Sequence, residues 1–122
     1  MFSVKNDTIL DPFLGTGTTT KAAICSERNS IGFERDETLS ELIDKEIREC
    51  RDSSNKYVEE RLDNHLDFIK TRLESGKEAK HKLNNHEGYC VSSQEVDIAL
   101  NQISNIDISS SGYEVIYEPL GR

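Results

Sequence analysis

The chain has 122 residues, which is enough for one modest domain. Its hydrophobic content of 34% is low, and its charged content of 31% high, for a domain that builds its own core. The net charge of −8 argues against a protein that grips DNA phosphates by itself, and the sequence shows no cluster of lysines and arginines for that purpose. Neither a signal peptide nor a membrane-spanning apolar run is present, so we expect a cytoplasmic protein.

The strongest structural signal lies in residues 8–36. A short apolar run ends at Asp11-Pro12, where proline removes a backbone donor and favours the end of a strand. A glycine-containing turn and a helix-permissive segment follow, and the second apolar run ends in Glu34. This order predicts a strand, a turn, a helix and a parallel strand, with a ligand site at the carboxyl edge of the two strands.

The turn contains two glycines, Gly15 and Gly17. Glycine permits a sharp turn and lets a ligand approach the backbone, and the following helix directs unpaired N–H groups toward the same place. The pattern lacks a third glycine at position 20, and Thr20 precedes Lys21 where a P-loop has glycine. By themselves the glycines indicate only a tight turn in an α/β protein.

Glu34 makes the interpretation of this turn as a ligand site more specific. It follows Gly17 by 17 residues, close to the spacing at which an acid binds ribose hydroxyls in nucleotide-binding βαβ units. Asp11 and Glu34 both fall at strand ends, so we expect both carboxylates to face one crevice.

The complete string DPFLGTGTT, followed by a helix and then IGFE, resembles the cofactor motif of DNA amino-methyltransferases. These enzymes methylate adenine N6 or cytosine N4 with S-adenosylmethionine, and the close match covers about Asn6 to Cys50. The resemblance implies a partial Rossmann-like methyltransferase fold of βαβα order, with an additional helix and a C-terminal β-hairpin in this chain. It implies no metal.

The resemblance also implies a role for each residue of the motif. Asp11 would lie beside the methionine part of the cofactor, Glu34 would bind the ribose, and Arg35 would lie near the adenine edge. The glycines and threonines would offer backbone approach and N–H donors, while Phe13 could equally line the pocket or be a core aromatic. The implied cofactor-binding set is Asp11, Pro12, Phe13, Gly15, Gly17, Thr18, Thr19, Glu34 and Arg35.

The catalytic motif of the resembled family is missing. That motif pairs two prolines with a polar residue and an aromatic residue to hold the flipped base, whereas Pro12 and Pro119 are the only prolines here. We therefore interpret the chain as the C-terminal, cofactor-binding part of such an enzyme. A partner chain or a missing segment would supply catalysis, target recognition and the grip on DNA. The alternative is a non-catalytic remnant or interaction module that binds a nucleoside cofactor or nothing.

The remaining chain predicts two helices and a polar loop. Asp36 is expected to cap a helix that runs to about Cys50, and residues 51–55 are interpreted as a linker. A second amphipathic helix covers about residues 58–73 and ends at Gly76. The predicted domains are residues 1–52 for cofactor binding, 53–88 for the helix and loop, and 89–122 for a β-rich segment.

The C-terminal third predicts short strands. Val96, Ile98 and Leu100 alternate with polar residues, and a hairpin is expected over about residues 103–118, ended by Pro119. The histidines and the cysteine within residues 81–90 are interpreted as parts of an exposed loop rather than a metal site. The three cysteines are far apart, so no disulfide framework is expected.

Overall fold

The structure is a computed structural model that describes residues 3–122, so the first two residues of the predicted cofactor-binding domain lie outside it. The architecture is α/β, with three two-stranded sheets within these described residues. Two short 3-10 turns, Glu37–Leu39 and Ser93–Glu95, accompany the main elements. The strands and helices are β1 Thr8–Asp11, α1 Thr18–Cys25, β2 Asn29–Gly32, α2 Ser40–Glu74, β3 His81–Lys82, β4 Tyr89–Cys90, β5 Asn101–Ser109 and β6 Gly112–Pro119.

The predicted βαβ unit is confirmed. Strands β1 and β2 are parallel, with Leu10 paired to Ile31. The Phe33 N–H extends the pairing beyond β2 by donating to the Asp11 carbonyl at 2.9 Å. A larger Rossmann-like sheet stays a prediction, because β1 and β2 form a sheet of two strands within the described residues.

The predicted linker at residues 51–55 is wrong. Helix α2 continues through it without interruption for 35 residues. Serine, aspartate and asparagine are weak helix formers, but tertiary contacts override that preference here. The Asn55 side chain bonds both backbone groups of Ile103, accepting from its N–H at 2.7 Å and donating to its carbonyl at 2.9 Å. Ser54 is buried.

Both predicted ends of the helical region are correct. The Asp36 carboxylate accepts the Thr38 N–H at 3.0 Å and caps the 3-10 turn that leads into α2. At the other end, Gly76 adopts a left-handed conformation with φ of +82° and terminates the helix.

The predicted C-terminal hairpin is confirmed as β5 and β6, and β6 ends at Pro119. The predicted strand around Val96–Leu100 is wrong, because a 3-10 turn at Ser93–Glu95 precedes it and β5 begins only at Asn101. A capping box stabilises this turn, with the Ser92 side chain and the Glu95 side chain each bonding the other residue's backbone N–H.

The chain divides into two compact units. The first contains the described residues up to Ser54 together with Asn105–Ile116. Its apolar interior combines one side of α1 with the first half of α2, and the Tyr113 hydroxyl donates a hydrogen bond to Asp44. Its buried apolar side chains include Ala23, Ile24, Ile43, Ile47 and Cys50.

The second unit contains Asn55–Ser104 and Tyr117–Arg122. It has its own core, a cluster formed by Val58, Leu62, Leu100 and Leu120 with Leu66 against it. No helix within residues 3–122 combines the length and the hydropathy that a bilayer crossing needs.

The exposed loop predicted for residues 81–90 is wrong in part, because His86 and Cys90 are buried in the second unit. The Leu100 N–H donates to Nε2 of His86 at 2.8 Å, so the Nδ1–H donates to the Arg122 carbonyl, also at 2.8 Å. His86 therefore connects Leu100 and Arg122, whose proximity could not be predicted from the sequence.

Candidate functional site at the carboxyl edge of the parallel strands

The two acidic residues singled out by the sequence lie at the same edge of the β1–β2 sheet. Asp11 is the last residue of β1, and Glu34 follows the end of β2 by two residues. The strands are parallel and Asp11 pairs with Gly32, so both chain segments leave the sheet at this edge.

Asp11 shapes the loop that leads from β1 into α1. One carboxylate oxygen accepts the Phe13 N–H at 3.0 Å, and the other accepts the Thr19 hydroxyl at 2.6 Å. These bonds, with the Thr19 bond the stronger influence, lower the pKa of Asp11 below its ordinary value. Asp11 is therefore a carboxylate near neutral pH that holds both ends of the loop.

Glu34 connects the glycine loop to the end of β2. One oxygen accepts the Asp36 N–H at 2.9 Å, and the other accepts the Gly15 N–H at 2.7 Å. The bond from Asp36 and then that from Gly15 lower the pKa of Glu34. Sequence spacing pointed to Glu34 as a ligand-binding acid but did not reveal that it organises the loop.

The two glycines adopt conformations that disfavour other residues. Gly15 has φ of +61° and Gly17 has φ of +89°. A Cβ on Gly17 would lie 3.1 Å from Cγ2 of Ile43, whereas a Cβ on Gly15 would meet no atom within 4 Å. Gly17 is thus favoured by its positive φ and by its close approach to Ile43, and Gly15 faces open space. Gly17 is also the N-cap of α1, whose first turn has no side-chain cap.

The aromatic residues beside the loop are exposed. Phe13 is 87% exposed, so the interpretation as a core aromatic is wrong for the described chain. Phe33, which the predicted set omitted, is 60% exposed at the end of β2. The sequence feature that could have identified Phe33 is its position directly before Glu34. Pro12, Thr18 and Arg35 are also exposed, and Thr19 is half-buried.

A cavity of about 420 Å³ lies where α1 begins, on the side that faces α2. Gly17 and Thr18 line this cavity and also belong to the predicted cofactor-binding set. Lys21 and Glu46, which line it too, form an ion pair at 3.3 Å. Within residues 3–122, no three side chains of the histidine, cysteine or acidic type are arranged to hold a metal ion.

The comparisons with known proteins bear on the family of the chain. Residues 1–45 match the family described as DNA methylase, and this segment contains the glycine loop and both acids. This match and the relatives below support a fragment of a DNA methyltransferase.

Its relatives include three type II methyltransferases. The chain is 42% identical to M.MthZI of Methanothermobacter thermautotrophicus over 100 residues, which are 82% of this chain and 27% of that protein. It is 62% identical to M.MjaI of Methanocaldococcus jannaschii over 47 residues, covering 38% of this chain and 16% of that protein. It is 43% identical to M.HinfI of Haemophilus influenzae over 53 residues, covering 43% of this chain and 15% of that protein. The chain thus spans about a quarter or less of these relatives, and no solved structure matches it.

Proposed function

We propose that this chain is the S-adenosylmethionine-binding portion of a site-specific DNA methyltransferase that modifies the exocyclic amine of adenine or cytosine. The observation that carries the proposal is the hydrogen bond that the Gly15 N–H donates to the Glu34 carboxylate at 2.7 Å. This bond lies at the carboxyl edge of two parallel strands. When bound, the cofactor supplies the methyl group.

The chemistry of the edge suits this cofactor. Asp11 and Glu34 both have lowered pKa values and stay anionic, which favours a cationic sulfonium and ammonium ligand over a phosphate. Each Glu34 oxygen accepts one backbone N–H and keeps further lone-pair capacity for ribose hydroxyls. The exposed rings of Phe13 and Phe33 offer apolar surface for a purine ring.

Exposed apolar surface supports a role as part of a larger enzyme. Leu10 and Ile31 pair in register and so share one face of the sheet, with 64% and 52% of their surfaces exposed. Ile9, on the opposite face, is half-buried and lines a cavity together with residues of α1. Parallel sheets are normally covered on both faces, so we assign this open face to the remaining part of the methyltransferase.

The remaining part, whether a separate chain or another segment, would supply the two-proline catalytic motif and the target-recognition region, and would carry most of the contact with DNA. The isolated chain would then be catalytically inactive. The cytoplasmic location expected from the sequence accords with a DNA substrate and stays a prediction.

The proposal is tested by calorimetric titration of the full chain with S-adenosylmethionine. We expect binding by the unsubstituted chain and loss of binding in Asp11→Ala and Glu34→Ala. Glu37→Ala is the matched control, because Glu37 is an exposed acid near the same edge. Cofactor binding that survives both acidic substitutions would refute the proposed site.

The alternative is a non-catalytic remnant. A folded chain that binds no cofactor, both alone and together with the complementary part of the methyltransferase, would favour that alternative. Recovery of binding after the complementary part is added would instead show that the site is completed by it.

A further inference from the structure

A basic cleft lies in the second unit, where α2 ends. It encloses about 370 Å³ and is lined by Arg72, Lys77, Lys80 and His81, with Glu78 and Val91 completing it. Residues 70–82 contain five lysines and arginines but two glutamates, although the net charge of the whole chain is −8. This basic run is local in an otherwise acidic sequence, and the fold places Arg72 and the following lysines around one cleft.

The end of α2 explains how these side chains meet. The Gly76 N–H donates to the Leu73 carbonyl at 3.1 Å, and the Lys77 N–H donates to the Arg72 carbonyl at 3.1 Å. This Schellman arrangement turns the chain back on the helix, so the loop lysines return beside Arg72. The Nε–H of Arg72 then holds the loop by donating to the Glu78 carbonyl at 2.8 Å.

The cationic groups of the cleft are available to a ligand. Lys77 and Lys80 are exposed, and Arg72 is half-buried. Lys80 pairs with Glu78 at 2.8 Å, but both side chains are more than 70% exposed, so this pair is weak and easily exchanged. Within residues 3–122 the Lys77 ammonium has no ion pair with a carboxylate.

We propose that this cleft binds backbone phosphates of double-stranded DNA through Arg72, Lys77 and Lys80. The choice of DNA rests on the proposed function, since the cleft alone specifies only a phosphate-bearing anion. An open, solvent-exposed arrangement of cations fits a polyanion that passes along the surface better than it fits an enclosed small ligand. The rest of the chain is acidic and repels DNA phosphates. The cleft therefore also determines which side of the second unit contacts the duplex.

The test measures the affinity of the full chain for a fluorescent DNA duplex by anisotropy, as a function of salt. The double variant Lys77→Gln/Lys80→Gln should bind at least roughly tenfold more weakly at ~50 mM salt. The slope of log K against log salt should become shallower by about 2, because each phosphate contact contributes about 0.9 to it.

The matched control is Lys45→Gln/Lys56→Gln, which changes the net charge equally at exposed positions outside the cleft. It should leave both affinity and slope close to those of the unsubstituted chain. Equal weakening by both double variants would show a general charge effect and overturn the proposal, as would the absence of DNA binding by the unsubstituted chain at low salt.

Titration of the same proteins with S-adenosylmethionine separates this proposal from the proposed cofactor site. Loss of DNA affinity with unchanged cofactor binding supports the cleft alone. A chain that binds DNA through the cleft but never binds the cofactor would support the cleft and contradict the cofactor site.

Discussion

The Glu34 carboxylate accepts the Gly15 N–H at 2.7 Å, across 19 residues of sequence. This bond fixes the glycine loop against the end of β2. Glu34 also accepts the Asp36 N–H at 2.9 Å, so the same side chain holds the start of the segment that leads into α2. The acid that the sequence indicated for ribose binding thus also holds the loop of the proposed cofactor site in place.

Glu34→Gln separates these two roles. Glutamine keeps one carbonyl acceptor but loses the charge and one of the two carboxylate oxygens, so one backbone N–H loses its partner. We expect cofactor affinity to fall by about tenfold or more, while amide exchange at Gly15 or Asp36 becomes faster. Calorimetry and hydrogen exchange measure the two effects. Unchanged exchange at both amides would show that Glu34 does not hold the loop.

Alanine substitution at the two glycines should give opposite results. Gly17→Ala places a Cβ 3.1 Å from Ile43 in a residue with φ of +89°, so thermal stability should fall markedly. Gly15→Ala meets no atom, so it should lose only about 1–2 kcal/mol of stability from its left-handed backbone.

Gly15→Ala should nevertheless weaken cofactor binding more than its stability loss explains, because its Cβ would point into the space assigned to the ligand. Thermal melts together with cofactor titration test both substitutions. Full cofactor affinity in Gly15→Ala would place the ligand elsewhere.

The lowered pKa values of Asp11 and Glu34 predict an acid-labile first unit. A carboxyl group whose pKa is lower in the folded than in the unfolded chain contributes stability that is fully present above the unfolded value. That contribution is lost as the pH falls through about 4 and toward the folded pKa.

Thr19→Val removes the hydroxyl that is the main cause of the lowered Asp11 pKa, so it should reduce the acid dependence of the unfolding free energy. Thr18→Val, at an exposed neighbour, is the control. Denaturant unfolding between about pH 3 and 7 measures the difference. Identical profiles for Thr19→Val and the unsubstituted chain would contradict the assigned role of Thr19.

Local chemistry made the first βαβ unit predictable from the sequence. Proline after Asp11, glycines at left-handed positions and the capping Asp36 each act on the backbone next to them. The capping box between Ser92 and Glu95 could also be recognised in the sequence, because the serine stands three residues before the glutamate. The apolar alternation that follows it, however, suggested a strand.

Contacts between distant residues could not be predicted in this way. Within α2, the Asn55 side chain is hydrogen-bonded to Ile103, which lies 48 residues away. The burial of His86 depends on Leu100 and on the last residue of the chain.

Asn55→Ala tests the contact that replaces the predicted linker. The substitution improves local helix propensity but leaves the N–H and carbonyl of Ile103 without their partner. We expect a net loss of about 1–3 kcal/mol in the free energy of unfolding. Asn64→Ala, at an exposed position of the same helix, should be neutral or slightly stabilising. Equal effects of the two substitutions on chemical denaturation would show that the Ile103 contact contributes nothing.

The three free cysteines should differ in reactivity because they differ in burial. Cys25 is exposed, whereas Cys50 and Cys90 have no exposed surface. Burial, together with the neighbouring Cys25 thiol, raises the pKa of Cys50 to about 11, and burial also raises the pKa of Cys90. Since the thiolate is the reactive form, iodoacetamide at about pH 8 should modify Cys25 first.

Mass spectrometry of the native chain over time measures the order of modification, and the same reaction in denaturant provides the control in which all three thiols react at similar rates. Native Cys50 reacting as fast as Cys25 would show that the α1–α2 contact opens readily. Slow Cys50 modification that accelerates in Ile47→Ala would instead tie its protection to the buried interior of the first unit, because Ile47 is fully buried one turn earlier on α2.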